Sequence, residues 1–303
     1  MKLRGIVPPM VTPLLDNDTL DKAGSQKLIE HMIAGGIHGL FILGTTGEAP
    51  SLSYSLRYEF IEMVCRQVDG RIPVLVGITD TSMQESIKMA EHAATCGASA
   101  VVSAPPYYFA PAQQELIEFY TDLADSLPLP LYLYNMPSHV KVIFEPQTVK
   151  ELAKHPNIVG LKDSSANMVY FQSLIHLVKD DPEFSLLVGP EELTAESVMM
   201  GADGGVNGGA NMFPRLYVDL YNAALDLDYE RVRVLQEQVM EISTTIYKVG
   251  KYGSSYLKGV KCVLSLLGIC DDYMAKPFRK FQPEERAKVR VILEKMGLIL
   301  TNP

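Results

Sequence analysis

Asn157-Ile-Val-Gly-Leu-Lys162-Asp-Ser-Ser165 decides the fold. Ile158 to Leu161 are apolar or small on both faces, the composition of a strand buried inside a parallel sheet. The run stops at a lysine, and Asp163-Ser164-Ser165 offers turn and helix-cap chemistry. A lysine at the end of a buried strand loses hydration, which favours its neutral amine. Neutral amine is the form that attacks a carbonyl to make a Schiff base. Taken alone, Lys162 reads more readily as an ordinary strand-end lysine whose head reaches water; the rest of the chain reverses that.

The same strand-then-helix pattern repeats outward in both directions. Ile6–Val11, Leu40–Leu43, Val74–Ile78, Ala100–Val102 and Leu131–Tyr134 come before it as short apolar runs, and Phe184–Val188 and the glycine-rich Gly204–Asn207 come after. Between them lie amphipathic stretches with helix signals. Asp21 caps one that carries Leu28, Ile29, Met32 and Ile33 on a single face, Ser82 and Glu85 form a capping box, and Pro146 opens a first turn. Eight such units at roughly 25–30 residues each fit a (β/α)8 TIM barrel, whose usual size is about 250 residues. A doubly wound sheet is the rival, but no GxGxxG follows the first strand. After about Asp228 the strands cease, and Tyr229–Tyr247, Ser254–Leu267 and Pro283–Leu298 predict three helices. The expected organisation is an α/β barrel over residues 1–227 with a C-terminal three-helix extension over 228–303, packed on it as one structural unit.

Composition narrows the function. The 303-residue chain has a net charge of −9 and a pI near 5.2, against a nucleic-acid or anionic-membrane surface. Cys65, Cys96, Cys262 and Cys270 are far apart with no zinc-ligand spacing, as free thiols in a reducing cytosol would be. The first residues lack a signal-peptide core, and no apolar run approaches the roughly 20 residues that span a bilayer. A soluble cytoplasmic protein is expected.

In a barrel of this kind reactive groups sit where strands end. Thr45 and Thr46 follow the second strand, Tyr108 the fourth, Tyr134 the fifth, Lys162 the sixth, and Glu191 and Glu192 the seventh. Gly44-Thr-Thr-Gly47 reads as a simple turn or as a small anion cradle that holds a carboxylate. Without the Lys-Ser/Thr of a phosphate loop it does not imply ATP. Tyr107 is better taken as a packing aromatic, and Tyr134 alone could be a core tyrosine. Glu191 and Glu192 could merely complement a helix dipole. His139 is the one histidine placed beside this set. An ion pair of Lys162 with Asp163 is possible, although neighbours on a strand point to opposite faces.

Together, Gly44-Thr-Thr-Gly-Glu48, Pro106-Tyr-Tyr108, Tyr134-Asn-Met-Pro137, Gly160-Leu-Lys162-Asp and Gly201-Ala-Asp-Gly-Gly-Val-Asn207 resemble the dihydrodipicolinate synthase/N-acetylneuraminate lyase family in order and spacing along nearly the whole chain. The resemblance implies a class I, metal-free enzyme with no cofactor beyond a substrate imine on Lys162. Tyr134 would shuttle the proton, with Thr45 in a hydroxyl relay that Tyr108 completes across a dimer interface. The active form would then be a homodimer or, as is usual in the family, a homotetramer. Thr45 and Thr46 would hold the carboxylate of pyruvate, and the Val206 carbonyl would face the site. The physical logic stands beside the likeness: a protonated imine is an electron sink, and hydroxyls that polarise one another make a phenol proton mobile.

Two departures bear on the second substrate. The synthase branch carries an arginine shortly after its Tyr-Asn-x-Pro, where this chain has His139, with Lys141 nearby. Neutral histidine makes no bidentate fork to a second carboxylate. Gly189-Pro-Glu191-Glu192 looks like the acidic pair with which sialic-acid lyases hold sugar hydroxyls. Both point to a lyase or aldolase that joins or splits pyruvate and a hydroxylated aldehyde, of 2-keto-3-deoxy sugar acid or sialic-acid type. The alternatives are 4-hydroxy-tetrahydrodipicolinate synthase, acting on aspartate semialdehyde, and a non-catalytic keto-acid-binding regulator.

Overall fold

Successive residues of a strand face opposite sides of a sheet, so in a closed barrel one parity fills the interior and the other meets the helices. The computed structural model describes residues 2–297. Its eight strands are β1 (Gly5–Ile6), β2 (Leu40–Ile42), β3 (Val74–Gly77), β4 (Ala100–Ser103), β5 (Leu131–Asn135), β6 (Ile158–Asp163), β7 (Ser185–Val188) and β8 (Gly204–Gly205). Each pairs in parallel with the next from β2 to β8, and β8 pairs with β1. Phe41 N donates to the Pro8 carbonyl at 3.0 Å and Met10 N to the Phe41 carbonyl at 2.8 Å, which closes the (β/α)8 TIM barrel.

The outer layer follows from the capping and periodic stretches: α1 (Lys22–Ala34), α2 (Tyr54–Val68), α3 (Met83–Thr95), α4 (Gln113–Ser126), a single turn α5 (Pro137–Val140), α6 (Pro146–Leu152), α7 (Met168–Val178), α8 (Thr194–Met199) and α9 (Pro214–Leu225). Asp21 and Ser82 cap α1 and α3 as expected, accepting from Gly24 N and Glu85 N. The extension is α10 (Tyr229–Thr245), α11 (Ser255–Leu266) and α12 (Pro283–Lys295). The expected end of the last helix, Leu298, lies outside the described residues.

Parity sorts the core. Phe41, Leu75, Val102, Tyr132, Tyr134 and Leu187 pack together inside the barrel, while Leu40, Ile42, Val74, Val76, Leu131 and Leu133 belong to the layer between strands and helices. Full burial of such side chains contributes about 1.5–3 kcal/mol each. On β6 the inward positions are Gly160 and Lys162. A Cβ at Gly160 would lie 2.5 Å from the Tyr132 ring, so only glycine leaves that ring its place below the lysine.

Three expectations change. The first strand, expected over Ile6–Val11, forms a ladder only at Gly5–Ile6, because Pro8 and Pro9 have no N–H to give. β6 runs on through Lys162 and Asp163, in register with Tyr134 and Asn135 of β5. The cap of α7 is Asn167, which accepts from Tyr170 N at 3.1 Å; Asp163 holds only the preceding turn, accepting from Ser165 N at 3.0 Å.

Candidate active site

β2 leads into a loop whose two ends are in the left-handed region: φ is 57° at both Leu43 and Glu48. That region costs a non-glycine residue about 1–3 kcal/mol and persists only where the surroundings enforce it. Here Thr12 Oγ1 donates to the Gly47 carbonyl at 2.7 Å, and the buried Glu48 carboxylate pairs with Lys261 of α11 and accepts from Ala275 N at 2.9 Å. A Cβ at Gly44 would sit 2.6 Å from the Phe41 ring. The loop thus presents Thr45 and Thr46 at the barrel mouth.

Thr45 Oγ1 lies 3.2 Å from the Tyr134 hydroxyl, and Thr46 Oγ1 lies 3.1 Å from the Tyr256 hydroxyl. Lys162 Nζ stands 4.2 Å from the centroid of the Tyr134 ring and 5.1 Å from that of Phe41, in a side chain only 6% exposed. Such cation–π contacts contribute about 0.5–2 kcal/mol. Asp163 points to the other face, where it accepts from Asn135 Nδ2 at 2.7 Å and from Ser165 Oγ at 2.9 Å. Burial pushes its carboxyl above the usual range, and these hydrogen bonds oppose the shift. The ion pair between Lys162 and Asp163 is therefore not formed.

A cleft of about 1070 Å³ opens above these groups. Thr45, Thr46, Tyr134, Lys162, Gly189 and Val206 all line it. Tyr108 does not; it is 80% exposed with its ring centroid 5.1 Å from that of Phe109, whereas Tyr107 reaches the cleft of its own chain. His139 lines the cleft from α5, with Nδ1 3.0 Å from Ser138 Oγ, and loss of hydration lowers its pKa further below neutrality. Lys141 is exposed and outside it. Among the described residues no arginine lines the cleft.

Within the acidic pair, Glu191 departs from the expectation. Glu191 borders the cleft but is 4% exposed, and both its oxygens are taken by the protein. Tyr217 and Tyr247 donate to Oε1 at 2.6 and 2.8 Å, and Gly209 N donates to Oε2 at 2.7 Å. Burial, the largest influence, pushes its carboxyl up to about 7. A carboxylate so occupied is not a free acceptor for sugar hydroxyls. Glu192 also lines the cleft; Ser243 donates to its Oε1 and Gln236 to its carbonyl at 2.7 Å.

Sequence reasoning missed Tyr217, Tyr247 and Tyr256. Their one signal was Gly208-Gly209: a Cβ there would lie 1.6 Å from the Tyr256 hydroxyl or 1.9 Å from that of Tyr217. Glycine was needed at both positions so that phenols could approach the backbone. Among the described residues no group of three or more His, Cys, Asp or Glu is placed to hold a metal ion, and no helix is long and apolar enough to cross a membrane.

Comparison with known proteins agrees with this geometry. The profile of the Dihydrodipicolinate synthetase family matches residues 2–296. A solved structure of dihydrodipicolinate synthase from Bacteroides thetaiotaomicron is 63% identical, with a TM-score of 0.95 over 97% of this chain and 100% of that one. YagE from Escherichia coli K12, a prophage protein solved in complex with pyruvate, is 29% identical with a TM-score of 0.92, over 98% and 99% of the two chains. The probable 2-dehydro-3-deoxy-D-pentonate aldolase YjhH of Escherichia coli K12 is 31% identical over 98% of this chain and 99% of its own. The chain belongs to the dihydrodipicolinate synthetase family, the pyruvate-dependent lyases that work through a Schiff base.

Proposed function

We propose that the chain is a class I aldolase that joins or splits pyruvate and a hydroxylated aldehyde, with Lys162 forming the imine. The observation that carries this is the placement of Lys162 Nζ, 4.2 Å from the Tyr134 ring in a cleft whose two threonine hydroxyls lie on the same loop. In this reading Thr45 and Thr46 hold the keto acid's carboxylate, and Val206 presents its carbonyl to the bound substrate. Tyr134 moves the proton between Thr45 and the carbon that gains or loses the aldehyde. The hydroxyl beside the breaking C–C bond gives up its proton, the bonding pair passes to the imine and the aldehyde leaves; the enamine is then protonated at carbon, and water hydrolyses the imine to release pyruvate and free Lys162.

A hydroxylated partner is supported by the cleft's lack of arginine, by the neutral His139, and by the name of YjhH. His139, Gly189 and Glu192 are its contact residues; Glu191, at the cleft's edge, is held by Tyr217, Tyr247 and Gly209. Tyr108 completes the relay of a second copy, a role supported by its exposure beside Phe109 on a loop tip. A homotetramer or homodimer in the cytoplasm is the form this reading assigns, in keeping with four free cysteines. The second reading, condensation of pyruvate with aspartate semialdehyde, is favoured by the 63% identical relative described as dihydrodipicolinate synthase.

The test has two parts. Borohydride reduction with pyruvate should add the mass of reduced pyruvate to the peptide containing Lys162; an unmodified peptide ends both readings and leaves keto-acid binding without catalysis. A panel of 2-keto-3-deoxy sugar acids, sialic acid, and aspartate semialdehyde with pyruvate then decides between the two. Faster turnover with aspartate semialdehyde than with any sugar acid would replace the first reading by the second.

A further inference from the structure

Tyr256 stands outside every role assigned above, yet the fold goes to some length to place it. It comes from α11 of the extension, crosses the cleft wall, and ends 3.1 Å from Thr46 Oγ1 on the loop after β2. Gly208 leaves its hydroxyl room that any side chain would fill. Its ring packs edge-on against that of Tyr247, with centroids 4.8 Å apart and planes at 84°. Tyr247 is fixed in turn by its hydrogen bond to Glu191.

A threonine hydroxyl has one proton and accepts through two lone pairs. Thr46 can give that proton to an anion only if its hydrogen bond to Tyr256 is made by accepting. Burial, with the nearby Glu191 charge, holds the Tyr256 phenol well above its ordinary pKa, so it keeps a proton to donate. A chain from phenol to hydroxyl to carboxylate then polarises along its length and strengthens each bond. We propose that Tyr256 is a positioning residue whose phenol donates to Thr46 Oγ1 and so aims the Thr46 proton at the carboxylate of the bound keto acid. This rests on the keto-acid reading of the cleft.

The experiment follows the rate of borohydride trapping at Lys162 against pyruvate concentration, in the full chain. Tyr256→Phe keeps the ring and removes the phenol; its half-saturating pyruvate concentration should rise about 3- to 10-fold, the worth of one net hydrogen bond, with the limiting rate within twofold. In a Thr46→Val background the same change should add nothing further. Tyr170→Phe, which removes a buried phenol that donates to the Phe144 carbonyl away from the cleft, should leave the midpoint within twofold. Should Tyr256→Phe fail to fold, Gly208→Ala, whose methyl displaces the same phenol, should show the same rise. An unchanged midpoint, an equal shift in Tyr170→Phe, or an additive effect in the Thr46→Val background overturns the inference alone. Failure of the unaltered chain to trap pyruvate removes the keto-acid reading and this inference with it.

Discussion

Thr45 Oγ1 and the Tyr134 hydroxyl stand 3.2 Å apart in the cleft, and the Tyr134 ring lies 4.2 Å from the amine of the buried Lys162. A phenol in that position is within a single proton transfer of its neighbour. Tyr134→Phe keeps the ring over Lys162 and removes only its hydroxyl. Turnover should fall about 10²–10⁴-fold, the usual worth of general acid–base help. Stopped-flow measurement of pyruvate release checks this, and near-normal turnover would take Tyr134 out of the mechanism.

At His139 the expected change is one of partner. Arginine at this position supplies a planar fork suited to a second carboxylate. His139→Arg should raise turnover of aspartate semialdehyde with pyruvate by about tenfold or more, since hydrogen bonds to charged groups are worth about 1.5–3 kcal/mol. A flat response in a coupled assay would show that discrimination lies elsewhere in the cleft.

The Glu48–Lys261 pair is almost wholly buried, with side chains 2% and 1% exposed. Removing one partner leaves a buried charge alone. Lys261→Met should therefore lower unfolding free energy by about 3–5 kcal/mol in urea titration. The double change Glu48→Gln with Lys261→Met should recover part of that loss, because no unpaired charge remains.

Glu191 gives stability a pH dependence. Its carboxyl is raised from 4.5 in the ordinary state to about 7 in the folded one. The folded chain thus holds this proton more tightly than the unfolded chain. The resulting stabilisation is complete below about 4.5 and is lost as pH rises through about 7. Glu191→Gln has no such proton, so its Tm should fall less than that of the unaltered chain over this window. Parallel calorimetric profiles for the two proteins would assign the slope to other groups.

The legible parts of the molecule were those written in local pattern. Lys162 showed itself because a cation ending an apolar run contradicts its surroundings, and Thr45 and Tyr134 because they end strands of the same series. Strand ends were harder to place. Lys162 and Asp163 look like a terminus by polarity, yet their backbones continue the ladder opposite Tyr134 and Asn135. Tyr256 was invisible for a different reason: its partner Thr46 is 210 residues away, and nothing local to either marks the meeting. Glu191 was noticed, but not its partners, because the phenols of Tyr217 and Tyr247 reach it only once α9 and the turn after α10 have packed.

The wall from Ser243 to Tyr256 and the anchor at Lys261 both belong to the tail, not to the eight-stranded part. The catalytic cup is accordingly not a portable cassette. A chimera that transplants the barrel must carry its own tail along, and drift in that tail reshapes the cleft wall while Lys162 and Tyr134 stay untouched.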